Sequence, residues 1–196
     1  ANFAVLGEGP VFIYDLAGAT PGTPALTLSN PGPNSNDKFG TSVAVSGNLV
    51  AVGTPGDDTG ASDAGSVYIF DLSSGTPTVP VLTLNHTAAN SDFGFSVAIS
   101  GTRLIVGAYN DDTGAANTGR AFVYDLASGT PTVPVATLNN PTPSGGENFG
   151  WSVAIDGTQA VVGAHAALNA AQSLNVGAAY VYTLASPTPP PPTYPL

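Results

Sequence analysis

The chain has 196 residues, 42% of them hydrophobic but only 8% charged, and carries a formal net charge of −10. Lys38, Arg103 and Arg120 are its only lysines and arginines, too few to neutralise a phosphate backbone or an anionic bilayer, so nucleic-acid and charged-membrane partners are excluded. Cysteine is absent, which removes disulfide frameworks and thiolate metal sites, and no apolar run is long enough for membrane insertion.

A charged fraction so far below the usual quarter leaves the surface to Thr, Ser, Asn and Gly. Such a surface suits a glycosylated chain or one that lives in an assembly. Methionine is missing even at position 1. A chain opening at Ala1 reads as processed, by removal of a secretory signal or by proteolysis of a longer precursor. The expected location is therefore extracellular or at the cell surface.

One opening occurs three times: Phe39-Gly40-Thr41-Ser42, Phe93-Gly94-Phe95-Ser96 and Phe149-Gly150-Trp151-Ser152, spaced 54 and 56 residues apart. A period of that length signals a solenoid, propeller or array. In chain order, residues 1–38 read as an incomplete unit. Asn2-Phe3-Ala4-Val5-Leu6-Gly7 matches the second strand of later copies, Val11 to Leu16 the third, and Ala25 to Leu28 the fourth. Its first strand is missing.

Residues 39–92 and 93–148 then read as complete four-strand units. Each has a Ser-Val-Ala strand, a tight turn at Gly47 or Gly101, and a nearly continuous apolar second strand. A Gly-rich loop follows, then an aromatic third strand, then a Thr/Pro loop and a fourth strand. Proline beside that last strand fits an outer edge, because proline cannot donate to a ladder. Residues 149–185 repeat strands one to three. The tail 186–196 places Pro189, Pro192 and Leu196 where Pro77, Pro80 and Leu84 stand, and reads as a degenerate fourth strand or a polyproline segment. The fold class is thus all-β: a propeller-like array of about 3.5–4 four-stranded antiparallel blades, the first incomplete.

Phe-Gly opening a strand, followed after strand two by Gly53-Thr54-Pro55, Gly107-Ala108-Tyr109 and Gly163-Ala164-His165, resembles the FG-GAP repeat of integrin-α-like propellers. The resemblance implies propeller blades and a surface or extracellular binding role. The Asp-rich calcium loop found in many family blades between strands one and two is replaced here by a tight turn. The chain therefore resembles the variety without that loop.

Candidate chemistry is thin. Asp57-Asp58 and Asp111-Asp112 recur after strand two, and paired carboxylates with Asp63 nearby suit calcium. The acids are adjacent rather than alternating, the third copy lacks them, and Asp and Gly form turns readily. Turn chemistry outweighs metal. Ser42, Ser96 and Ser152 recur without a base in phase with them, so they read as structural hydroxyls rather than nucleophiles. His86 and His165 read as loop positions and not as ligands, and the lone Trp151 as thin support for a sugar site. The columns Phe12, Tyr68, Phe122, Tyr180 and Tyr14, Phe70, Tyr124, Tyr182 read as packing between blades.

No catalytic, cofactor or metal residue is expected. Asn85, in Asn85-His86-Thr87, is an N-glycosylation candidate. The out-of-phase termini, Asn2, Phe3, Ala4, Val5 and Leu6 at one end and Pro189, Pro192, Tyr194 and Leu196 at the other, are candidates for assembly with further copies of the chain. Strand addition would complete the open blade and build a filament or surface layer. A module binding glycans or surface proteins through the loops after strand two is the alternative.

Overall fold

The computed structural model describes residues 2–3 (backbone only), 9–112, 116–141, 143–168 and 174–184. They form four antiparallel sheets, with no helix among them long and apolar enough to cross a membrane. The first sheet holds β1 (Asn2–Phe3), β2 (Val11–Tyr14) and β3 (Pro24–Leu28) in that order. The second holds β4 (Ser42–Ser46), β5 (Leu49–Thr54), β6 (Ser66–Asp71) and β7 (Leu82–Asn85). The third repeats it with β8 (Ser96–Ser100), β9 (Arg103–Ala108), β10 (Arg120–Asp125) and β11 (Ala136–Asn139). The fourth has β12 (Phe149–Asp156), β13 (Gln159–Ala164) and β14 (Ala178–Thr183). This is the all-β blade array that the repeat predicts, with its first blade incomplete.

The inner blades are meanders whose first and last turns are built locally. Gly47, Gly101 and Gly157 adopt positive φ (58°, 60° and 55°) at the first turn position, as a two-residue hairpin needs. Strand three ends where Asp71 and Asp125 each accept the backbone N–H two residues on, from Ser73 and Ala127, which turns the chain before the Thr/Pro loop. The Ser73 hydroxyl and N–H hold the exposed Asp71 carboxyl below the usual carboxylate range. β7 and β11 each pair with one neighbour only, so the proline-flanked strands are edges.

Neighbouring blades bury a shared core. Between the second and third blades, Ala51, Val67, Ile69 and Leu84 meet Leu104, Val106, Phe122 and Tyr124, with Phe93 wedged in the joint. Phe39 and Phe149 hold the same place in the other two joints. All three wedges are essentially inaccessible to solvent, and each contributes roughly 3 kcal/mol of burial. The aromatic columns of strand three face the preceding blade, where Phe39 and Phe149 approach Phe70 and Tyr182 edge-on. From the second blade on they are core, as the spacing predicts, whereas Phe12 and Tyr14 of the first sheet are half-buried.

The N-terminal strand differs in register from the repeat alignment. That alignment puts Leu6 opposite Phe12, whereas Phe3 takes this place and Asn2 pairs with Ile13. Two paired residues specify register weakly. The remaining assembly candidates, Ala4, Val5, Leu6, Pro189, Pro192, Tyr194 and Leu196, lie outside the described residues.

Candidate functional site

The recurring serines tie blades together. Ser42 Oγ donates to the Gly94 carbonyl at 2.7 Å, and Ser96 Oγ to the Gly150 carbonyl at 2.8 Å. At the far end of the same strands, the Gly101 and Gly157 N–H groups donate to Ser46 and Ser100 Oγ of the preceding blade. The glycine after strand two makes room for this latch. A Cβ on Gly53 would lie 1.9 Å from the Gly94 carbonyl oxygen, and one on Gly107 would lie 2.0 Å from that of Gly150. The structural reading of the hydroxyls holds, but each acceptor sits in the next blade.

The paired aspartates divide their work. Asp58 and Asp112 stay exposed and each accepts the backbone N–H five residues on, closing the loop. Asp57 and Asp111 are buried in the joints. Asp57 accepts the Tyr68 hydroxyl at 2.7 Å and the Thr59 N–H. Burial first, then this bond, pushes the Tyr68 hydroxyl well above the usual phenol value. Asp111 Oδ2 receives Arg120 at 2.6 Å and meets His86 Nε2 at 3.0 Å. His86 stacks on Phe93, with ring centroids 5.3 Å apart, and Arg120 lies over Phe122.

His86, in the loop just after β7, is therefore also a joint residue. Repeat alignment puts it in one column with Asn30 and Asn140, which bond Asp37 and Glu147 in the other two joints. That column was the available signal. Asn85, at the end of β7, is exposed, and its Oδ1 accepts the Ser66 hydroxyl. Among the described residues no group of three or more His, Cys, Asp or Glu is arranged to hold a metal.

A surface site emerges where the Phe-Gly openings meet the ends of strand two. Trp151 is 38% exposed, with its ring 4.7 Å from Phe95, 4.8 Å from Tyr109 and 4.2 Å from His165. Phe95 and Tyr109 meet edge-on at 4.5 Å. His165 is exposed, while Phe95 and Tyr109 are partly exposed. Polar groups border the rings, since Asn110 Nδ2 donates to Asp92 Oδ2 at 2.5 Å. Burial first, then the charge and hydrogen bond of Asp92, pushes the Tyr109 hydroxyl up to about 12. Trp151 is thus not alone, and His165 belongs to its cluster. The arrangement offers ring faces and edges beside amide and carboxylate groups.

Known proteins place this architecture. The crystal structure of the computationally designed Ika8 protein is similar, with a TM-score of 0.54 and 14% identity over 92% of this chain and 42% of that one. The chain thus spans less than half the length of that structure. No curated protein matches it. The FG-GAP repeat matches at residues 27–70, 79–124 and 135–182. Each stretch starts in or near one blade's fourth strand, crosses a joint, and ends in the next blade's third strand. With most of its length accounted for in this way, the chain belongs to the FG-GAP repeat family.

Proposed function

We propose that the chain is a non-catalytic binding module, extracellular or at the cell surface, that holds neutral glycans on the Phe95–Tyr109–Trp151–His165 cluster. The observation that carries this reading is the convergence of four aromatic rings from two blades at one exposed surface. Aromatic rings give apolar contact area with little conformational freedom to lose, and Asp92 and Asn110 beside them supply hydrogen bonds. With three lysines and arginines in the chain, anionic sugars are disfavoured. Catalysis finds little support, since the Ser42 and Ser96 hydroxyls are committed to latches and His86 to the Asp111 joint. In an extracellular setting Asn85 is the proposed N-glycan acceptor.

A printed array of neutral glycans, probed with the wild type and with Trp151→Ala, tests the proposal. Retention on at least one glycan class, reduced about tenfold or more by the substitution, is expected from the loss of the central ring. No retention, or retention indifferent to Trp151, overturns it.

Self-association is the second reading, favoured by the half-buried Phe12 and Tyr14 on the first sheet and Val161 and Val181 on the last. Their counterparts in the inner blades are buried core. Head-to-tail stacking of such faces closes into a ring or runs on as a filament or surface layer. Sedimentation velocity across a range of concentrations should then show a growing species, and a monomer at every concentration eliminates this reading.

A further inference from the structure

We propose that the proline-rich segment 186–196 of the chain docks on the Phe95–Tyr109–Trp151–His165 cluster and covers it. This contact does not depend on glycan binding, which it opposes by occupying the same rings. The segment reads Ser-Pro-Thr-Pro-Pro-Pro-Pro-Thr-Tyr-Pro-Leu, with six prolines and no charged side chain. Four consecutive prolines, 189–192, have no N–H to give a strand ladder, and their fixed φ favours the polyproline II helix. Such a helix is extended before it binds and has little entropy to lose on docking.

Surfaces that recognise a polyproline helix are lined by exposed aromatic rings, against which the pyrrolidine rings pack. The cluster is lined in this way. Trp151 is 38% exposed, and Phe95, Tyr109 and His165 surround it with their own surfaces at least partly open. A proline run offers carbonyl acceptors and no N–H, whereas the indole N–H of a tryptophan is a donor only. An uncharged segment also brings no ion to repel the Asp92 carboxylate beside Tyr109.

The segment is long enough to reach the cluster of its own chain. The Leu184 N–H donates to the Thr158 carbonyl at 2.6 Å, which holds residue 184 beside the hairpin turn after β12. Thr158 is seven residues from Trp151, a separation of at most about 23 Å at the rise of a strand. Pro192 is eight residues beyond Leu184 and can stand about 25 Å from it in a polyproline helix. A tether this short makes the encounter intramolecular and raises the effective concentration of the segment at the rings.

Acrylamide quenching of Trp151, the only tryptophan in the chain, reads whether the cluster is covered. The full chain is compared with a full-length variant carrying Pro189→Ala, Pro190→Ala, Pro191→Ala and Pro192→Ala, all outside the described strands. Trp151 should be shielded in the wild type and lose that shielding in the variant. A synthetic peptide with the sequence of residues 186–196 should restore it saturably, and the peptide carrying the same four substitutions should not. Adding Tyr109→Ala to the variant should raise the midpoint for the unsubstituted peptide about fivefold, as loss of an aromatic anchor does. Equal quenching of wild type and variant overturns the inference. So does a peptide that fails to restore shielding, or restores it equally with and without Tyr109. No glycan enters these measurements, so their failure leaves the glycan reading standing, and a blank glycan array leaves the docking of the segment untouched.

Discussion

Gly107→Ala is expected to destabilise the chain by about 3 kcal/mol, lowering the melting temperature by roughly 10 °C, although it adds a single methyl group. That methyl would lie 2.0 Å from the Gly150 carbonyl oxygen and 2.3 Å from Ser96 Oγ. Neither neighbour can yield cheaply. The carbonyl belongs to the opening that holds Phe149 in the joint, and the hydroxyl is bonded to that same carbonyl. Relief requires the third and fourth blades to separate, exposing the Phe149 wedge. Gly129→Ala is the matched control. Its methyl would meet nothing within 4 Å, and φ there is not positive, so the change should stay within about 0.5 kcal/mol. Thermal melts of the two variants beside the wild type decide the matter, and equal melting temperatures would dismiss the latch as a determinant of stability.

Asp111→Ala is expected to cost about 3–5 kcal/mol, because it strands the Arg120 guanidinium in the joint between the second and third blades. The carboxylate is fully buried and bonds Arg120 at 2.6 Å and His86 at 3.0 Å. The neighbouring Asp112 is exposed and closes only its own loop, so Asp112→Ala should cost no more than about 1 kcal/mol. The last blade indicates how the charge can be dispensed with. Repeat alignment places Ala167 in the column of Asp111 and Ala178 in that of Arg120, and Ala167 is buried in its core. The double variant Asp111→Ala, Arg120→Ala should therefore recover much of the loss from Asp111→Ala alone. A double-mutant cycle by urea unfolding measures this, and strictly additive losses would contradict the pairing.

Much of the architecture was legible because it is local and repeated. Phe-Gly, the turn glycines and the alternation of strand three each mark an element whose cause lies within a few residues. The aromatic columns follow from the two-residue period of a strand, and the structural reading fits Ser42 and Ser96, whose hydroxyls bond the next blade. What escaped was the direction of the contacts. The acceptor of Ser42 lies 52 residues away in the next blade, a separation no local window spans. The aspartate pairs do shape their loops, Asp57 through the Thr59 N–H and Asp58 and Asp112 through the N–H five residues on, yet Asp57 and Asp111 are also buried, because blade packing covers one residue of each pair and not the other.

The polar neighbours of His86 mark a loop, as the structure has it, but they do not show that its ring enters the joint. The column shared with Asn30 and Asn140 is polar in every copy, and each member bonds a carboxylate, Asp37, Asp111 or Glu147. The aromatic cluster was missed for a related reason. Trp151 and His165 were placed in separate columns, with Phe95 and with Tyr109 respectively. The hairpin between strands one and two, in which Ser152 lies opposite Gly163 and Ser96 opposite Gly107, brings those columns together. Joining them requires the register as well as the repeat. The N-terminal register, by contrast, had too few paired residues to be fixed by pattern.

The most direct measurement is a titration of Trp151 emission with a neutral glycan retained on the array, in the wild type and in Tyr109→Ala. The binding-site account predicts a saturable change in emission whose midpoint moves at least fivefold to higher glycan concentration in the variant, where the ring beside Trp151 is lost. A glycan that binds while leaving Trp151 emission unchanged, or that binds both proteins equally, would place recognition elsewhere on the blades and contradict the account.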